Sequence, residues 1–234
     1  VIWIHEVLGS VESLVSRKAA DIKSVEDLKG KTVATPFAST AHFSLLHAME
    51  NAGLTEKDVN LLDMQPSEIY AAWQNGQIDA AYIWEPTLSQ MEDAVTVCTS
   101  SDMADAGYMT TNLEMVRTEF ADANPDIVVA YIKAVNKAAE LYQSNKDEAV
   151  SIIAKAMKLD NEAAQSQMEG STWLSAKEQL GADYFGTSDA KGAFAQNLYD
   201  TAKFLKEQGS ISEVPEKSVF EEAVDSTYLE EAVQ

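Results

Sequence analysis

A chain of 234 residues, 46% of them hydrophobic, is long enough to bury one large core or two smaller ones. Its 17 basic and 38 acidic residues leave a net charge of −21, a field that repels nucleic acid and anionic lipid and argues against both as partners. A single cysteine excludes an internal disulfide and a cysteine-based zinc site, and no apolar run approaches the roughly 20 residues of a spanning helix, so no direct membrane insertion is expected. A small anion stays within reach, because surface charge is screened over about 8 Å at physiological salt while backbone N–H groups act at contact.

In chain order, Val1-Ile2-Trp3-Ile4 reads like the middle of a fold, so a signal peptide or lipid anchor is expected upstream of Val1. His5 reads as a partly exposed strand residue. From residue 31 to 100, short apolar runs alternate with helical ones. The predicted order is strand 32–35, helix 40–52, strand 60–64, helix 67–75, strand 78–84, helix 86–93 and strand 95–98. Ser39 or Thr40 and Ser67 are natural N-caps, Gly53 and Gly76 sit where glycines end helices, and Pro86 suits a first helical position. Such alternation predicts a parallel or mostly parallel sheet with helices on both faces.

Beyond about Ala104 the texture turns to long amphipathic helices, with one further strand candidate at 108–116. Ile127, Tyr131, Ala134, Val135, Ala138 and Tyr142 recur at helical spacing and predict a core stripe. Ala149, Ile152, Ile153 and Met157 predict a second, and Phe194, Leu198, Ala202 and Leu205 a third. Seven acids against Lys217 after residue 212 predict a solvated helix face, with a partner-docking segment as the other reading. The stretches 21–29 and 100–107 look like two crossovers. They divide the chain into a first lobe, 1–24 and 105–234, and a second α/β lobe, 25–104.

Catalytic motifs are absent: there is no G-x-S-x-G, no phosphate loop, no G-x-G-x-x-G after a strand, no H-E-x-x-H and no C-x-x-C. His42 and His47, five apart on one predicted helix, lie on different faces, which argues against a shared metal. Neither a metal nor a cofactor is expected. Cys98 reads as a small apolar strand residue and Trp73 as packing.

The most informative segment is Pro36-Phe37-Ala38-Ser39-Thr40-Ala41-His42. A strand ends and a helix begins there with two hydroxyls and unpaired N–H groups at the positive end of the helix dipole, a receptor for a sulfonate or carboxylate. Ser39 and Thr40 acting only as caps is the competing reading. His42 is a candidate first-turn donor. Gln65-Pro66 and Tyr82-Ile83-Trp84-Glu85-Pro86 form two more junctions, and in a doubly wound sheet all three share the rim at the strands' carboxyl ends. Trp84 suits a short alkyl chain and Glu85 a ligand ammonium; packing and helix-end electrostatics account for them equally well.

The runs T-P-F-A-S-T-A-H-F-S-L-L, Q-P-S-E-I-Y-A-A-W-Q-N-G-Q-I-D-A-A-Y-I-W-E-P, G-S-T-W-L-S and D-T-A-K-F-L-K-E-Q-G resemble the taurine and aliphatic-sulfonate branch of ABC-transporter substrate-binding proteins. The resemblance spans about 7–233. It implies an α/β fold of periplasmic-binding-protein type II, with mixed, mostly parallel sheets flanked by helices and two lobes closing over a ligand. It implies that Ser39, Thr40, Ala41 and the amides that follow receive a sulfonate, that Gln65 and Trp84 line the site, and that Glu12 and Asn112 serve the amine side. It also implies an ABC permease as partner and a periplasmic or extracytoplasmic location.

Two departures matter. Similar proteins carry Asp at the position of Asn112 and a small residue at that of Glu85, as if a carboxylate had moved. They also have three strand-helix units before the equivalent of Val1, so an incomplete first lobe, weaker binding and association through exposed sheet edges are expected. A binding protein for another small anion, a precursor-synthase-like enzyme on the same fold and a sensor module remain the alternatives. The iron motif of the related synthases, rich in cysteine and histidine, has no counterpart here.

Overall fold

A computed structural model describes residues 1–234. The chain forms two compact units, one continuous (8–110) and one discontinuous (1–7 and 111–234). Strand β1 (Trp3–Leu8) opens the chain.

The continuous unit holds a five-stranded sheet built from β2 (Glu12–Arg17), β3 (Thr32–Thr35), β4 (Asn60–Asp63), β5 (Ala80–Trp84) and β6 (Ala94–Thr99), in the order β4-β3-β5-β2-β6. β3 runs parallel to β4 and β5, whereas β2 is antiparallel to both β5 and β6, so the sheet is mixed, half parallel and half antiparallel. Helices α1 (Thr40–Asn51), α2 (Pro66–Gln74), α3 (Thr87–Gln90) and α4 (Ser100–Asp105) fill the connections.

Successive strand residues point to opposite faces, and the core divides accordingly. Leu14, Val33, Ala80 and Tyr82 pack with Leu45 and Met49 of α1 and Met103 of α4 on one side. Val15, Ala34, Ala81 and Ile83 pack with Ile69 and Trp73 of α2 on the other. Trp73 is packing as expected, its Nε1–H donating to the Glu92 carbonyl at 2.9 Å. Both long helices end as their glycines predict. Gly53 and Gly76 take positive φ of 73° and 66°, and the residues after them donate back into the last turn, Leu54 N to Met49 O at 2.8 Å and Gln77 N to Ala72 O at 2.9 Å.

The chain passes between units at 7/8 and 110/111, not at 21–29 and 100–107. Ile22 and Leu28 are core residues of the continuous unit, and Ser100–Asp105 is a helix capped by Thr99 that buries Met103. Strand β2 lies inside this unit between β5 and β6.

In the discontinuous unit, β1 lies between β7 (Thr111–Glu114) and the short β8 (Ser171–Thr172). Helices α5 (Thr118–Ala123), α6 (Pro125–Ser144), α7 (Lys146–Met157), α8 (Asn161–Glu169), α9 (Ala176–Gln179), α10 (Phe194–Glu207), α11 (Lys217–Ala223) and α12 (Thr227–Ala232) complete it. α6 corrects the predicted stripe. Its buried residues are Val128, Val129 and Ile132, while Ile127 and Tyr131 are 56% and 47% exposed. α6 packs against α5, α7 and α12, the last of which buries Leu229, and among these neighbours its buried face lies one position away from the predicted one. In α7, Ala149, Val150 and Ala154 are buried and Ile152, Ile153 and Met157 exposed. An apolar groove of about 270 Å³ runs along these helices, walled by Trp3, Tyr142, Ile153 and Trp173.

Candidate functional site

The parallel strands β4, β3 and β5 are neighbours, so their carboxyl ends bring the Pro36–His42, Gln65–Pro66 and Trp84–Pro86 junctions to one edge of the sheet. A carboxylate joins the first two: Asp63, at the end of β4, accepts the Phe37 N–H at 2.9 Å. Asp63 was not among the sequence candidates. Its signal is an acid at the last position of a strand beside a Pro-bearing turn.

Ser39 is the N-cap of α1. Its Oγ accepts from the His42 amide at 3.2 Å and donates to the Pro36 carbonyl at 2.6 Å. The His42 and Phe43 amides are thereby occupied, Phe43 N donating to Ser39 O at 3.1 Å, and the amides of Thr40 and Ala41 remain as the free donors of the first turn. Ala38 takes a left-handed φ of 56° and donates its N–H to His42 Nδ1 at 3.3 Å. His42 is buried and stacks on Phe37 with ring centroids 4.3 Å apart. Burial lowers its pKa below the usual histidine value, opposed by the nearby carboxylates of Glu56 and Asp63. His42 is thus a neutral ring that holds the turn, and its amide serves the Ser39 cap. His47 stands elsewhere, stacked on Tyr108 at 4.1 Å.

Glu12 departs from its expected place facing an amine. It is 1% exposed in β2, opposite Trp84 of β5. Its Oε2 accepts from Thr40 Oγ1 at 2.5 Å and its Oε1 from Ser100 Oγ at 2.8 Å. Ser100 Oγ lies 3.2 Å from the Tyr82 hydroxyl, a buried phenol whose pKa burial drives upward. The Thr40 hydroxyl proton therefore points into the protein.

Gln65 is exposed and precedes α2, where its N–H is accepted by Glu68 at 2.8 Å. Trp84 is half-buried and touches both core clusters. Glu85 turns to its own helix, accepting from Ser89 Oγ at 2.6 Å and Ser89 N at 3.1 Å. Cys98 is a core residue, its thiol pushed up to about 11 by burial.

Asn112 belongs to the discontinuous unit. It sits in β7 opposite Glu6 of β1 and donates from Nδ2 to Glu6 Oε1 at 2.8 Å, while Ser171 Oγ donates to Glu6 Oε2 at 2.5 Å. Glu6 went unnoticed in the sequence although it is an acid within a strand of largely apolar residues, Trp3–Leu8. A carboxylate thus accompanies Asn112 despite the Asn in place of Asp.

The profile of a family described as NMT1/THI5 like matches residues 4–149. The chain is similar to the taurine-binding periplasmic protein of Escherichia coli (strain K12), 35% identical over 221 residues that make up 92% of this chain and 66% of that protein. It thus spans just under two thirds of that relative's length. The crystal structure of the periplasmic aliphatic sulphonate binding protein SsuA from Escherichia coli superposes with a TM-score of 0.69 at 22% identity, covering 90% of this chain and 66% of the other. The desulfurization enzyme DSZB superposes with a TM-score of 0.66 at 16% identity, covering 99% and 78%. At such identities the two structures speak for the fold.

Proposed function

We propose that this chain, which belongs to the NMT1/THI5-like family, captures taurine or a related aminosulfonate or alkanesulfonate outside the cytoplasm and delivers it to an ABC permease. The observation that carries this is the first turn of α1. There the Thr40 and Ala41 amides are open donors at the positive end of a three-turn helix, on a sheet edge shared with Gln65 and Trp84. A sulfonate presents three oxygens and one negative charge, which such amides match. The 35% identity to a taurine-binding protein, whose aligned residues include this segment's neighbourhood across 92% of the chain, supports the same ligand class.

Binding is favoured over catalysis. The desulfurization enzyme shows that the fold also hosts chemistry, but here the one sulfur nucleophile, Cys98, is buried in a core with its thiol held protonated at neutral pH. In this reading the amides of Thr40 and Ala41 hold the anion, Ser39 and His42 hold the turn, and Gln65 and Trp84 form walls. Glu85 contributes charge on the same edge.

A thermal-shift series with taurine, ethanesulfonate, sulfate and glutamate tests this. A ligand that binds only the native state raises the melting temperature, by the equivalent of about 2.7 kcal/mol at 100 times its Kd. A shift with the sulfonates and none with glutamate is expected. No shift with either sulfonate would refute the proposal.

A further inference from the structure

Thr40 and Ser39 look from the sequence like a pair of hydroxyl donors for an anion, and the structure spends both protons elsewhere. Ser39 donates to Pro36 O at 2.6 Å. Thr40 donates to Glu12 Oε2 at 2.5 Å. The direction of the second bond follows from its surroundings. A carboxylate accepts only, so the Ser100 proton goes to Glu12 Oε1 at 2.8 Å and the Tyr82 hydroxyl, 3.2 Å away, donates to Ser100 Oγ. Every proton in this buried chain runs toward Glu12, and Thr40 supplies the one to its second oxygen.

A hydroxyl has one proton and two lone pairs. With its proton fixed on Glu12, half-buried Thr40 keeps only lone pairs on its oxygen, in the same first turn of α1 that carries the free N–H groups. The turn therefore offers two opposite chemistries a few ångströms apart: N–H donors that suit an anion, and an oxygen acceptor that repels one. A plain alkanesulfonate must bring its oxygens past that acceptor unpaired. A ligand carrying an ammonium next to its sulfonate satisfies both.

We propose that Glu12 is a positioning residue that sets Thr40 Oγ1 as a hydrogen-bond acceptor, and that this acceptor selects aminosulfonates over alkanesulfonates of the same length. The inference rests on the proposed function. It assigns Glu12 a part in selectivity without contact to the ligand, and it places recognition of the ammonium at a neutral oxygen on the continuous unit.

The test is calorimetric titration of wild-type protein, Thr40→Val and Glu12→Gln with taurine and with ethanesulfonate, which differ by the amine. Valine keeps the shape of Thr40 and removes the oxygen. Thr40→Val is expected to weaken taurine about tenfold while ethanesulfonate binds as well as before or better, so the preference collapses. Glu12→Gln, which places an N–H where Thr40 or Ser100 now donates, is expected to lower the same ratio, with Thr40→Val carrying the test if the glutamine variant does not fold. Equal weakening of both ligands in Thr40→Val, or no change in either, would overturn the inference and leave the sulfonate reading standing. Wild-type protein that binds ethanesulfonate as tightly as taurine would overturn it too. Wild-type protein that binds neither would remove the reading beneath it.

Discussion

The side-chain amide of Gln179 hydrogen-bonds both backbone groups of Ile4, accepting from its N–H at 2.7 Å and donating to its C=O at 3.1 Å. The residues are 175 positions apart and both are fully buried, so one glutamine acts as a strand partner for β1. A third bond, to Leu174 O at 3.2 Å, fixes the amide's orientation.

Replacing Gln179 with leucine leaves a buried N–H and a buried C=O without partners, each costing about 1–3 kcal/mol. Gln179→Leu is therefore expected to lose about 2–4 kcal/mol of stability even though leucine is the more hydrophobic residue. Urea denaturation followed by fluorescence reads this, and a loss below about 0.5 kcal/mol would show that β1 finds other partners.

His42 makes stability depend on pH. Burial lowers its folded pKa, so the unfolded chain takes up a proton on His42 at higher pH than the folded chain does. Above the unfolded value of about 6.5 neither state carries the proton and nothing is lost. As the pH falls through about 6.5 toward the folded pKa, the unfolded state gains the proton first and stability declines. Protonation at Nδ1 would also abolish the acceptor of the Ala38 N–H. Between pH 7.5 and 5.5 the melting temperature of wild-type protein should fall further than that of His42→Gln, whatever the two start from. Parallel declines would show that His42 does not titrate differently in the two states.

The turn before α10 has no room for a side chain at Gly192. A Cβ there would stand 2.1 Å from the Tyr184 carbonyl oxygen and 2.6 Å from the Gly186 nitrogen, all backbone atoms that cannot swing away. The same turn is tied by Gly192 N to Phe185 O at 2.8 Å and leads to buried Phe185 and Phe194. Gly192→Ala is expected to cost more than about 3 kcal/mol, the range of mutations that force a packed backbone apart. Soluble protein with a melting temperature within two or three degrees of wild type would contradict this.

Much of the continuous unit is legible in the sequence because its signals are local. Gly53 and Gly76 end helices by their own φ, and Ser39 caps α1 within three residues. What escapes depends on distant partners. Strand β2, E-S-L-V-S-R, has only two apolar residues, and it is buried because Glu12 and Ser16 find hydrogen-bond partners within the unit. α6 carries apolar residues on overlapping faces, and its packing against α5, α7 and the distant α12 leaves Val128, Val129 and Ile132 as the buried ones. The position of Thr40 was readable; the direction of its hydroxyl was not, because Glu12 lies 28 residues before it and Ser100 88 residues after Glu12.

Ser39 separates capping from recognition. Its lone pair holds the His42 amide and its proton holds the Pro36 carbonyl, so the whole hydroxyl is used in shaping the turn. Ser39→Ala should cost about 1 kcal/mol, the usual loss of an N-cap, and Ser39→Gly only a few tenths. Since the proton never faces a ligand, Ser39→Ala should change the ratio of taurine to ethanesulfonate affinity by less than about twofold. That is well inside the tenfold step that 1.4 kcal/mol would give. A loss of sulfonate affinity of tenfold or more, with stability unchanged, would instead mean that Ser39 turns its proton outward when a ligand arrives, and that the anion is held by a side chain as well as by amides.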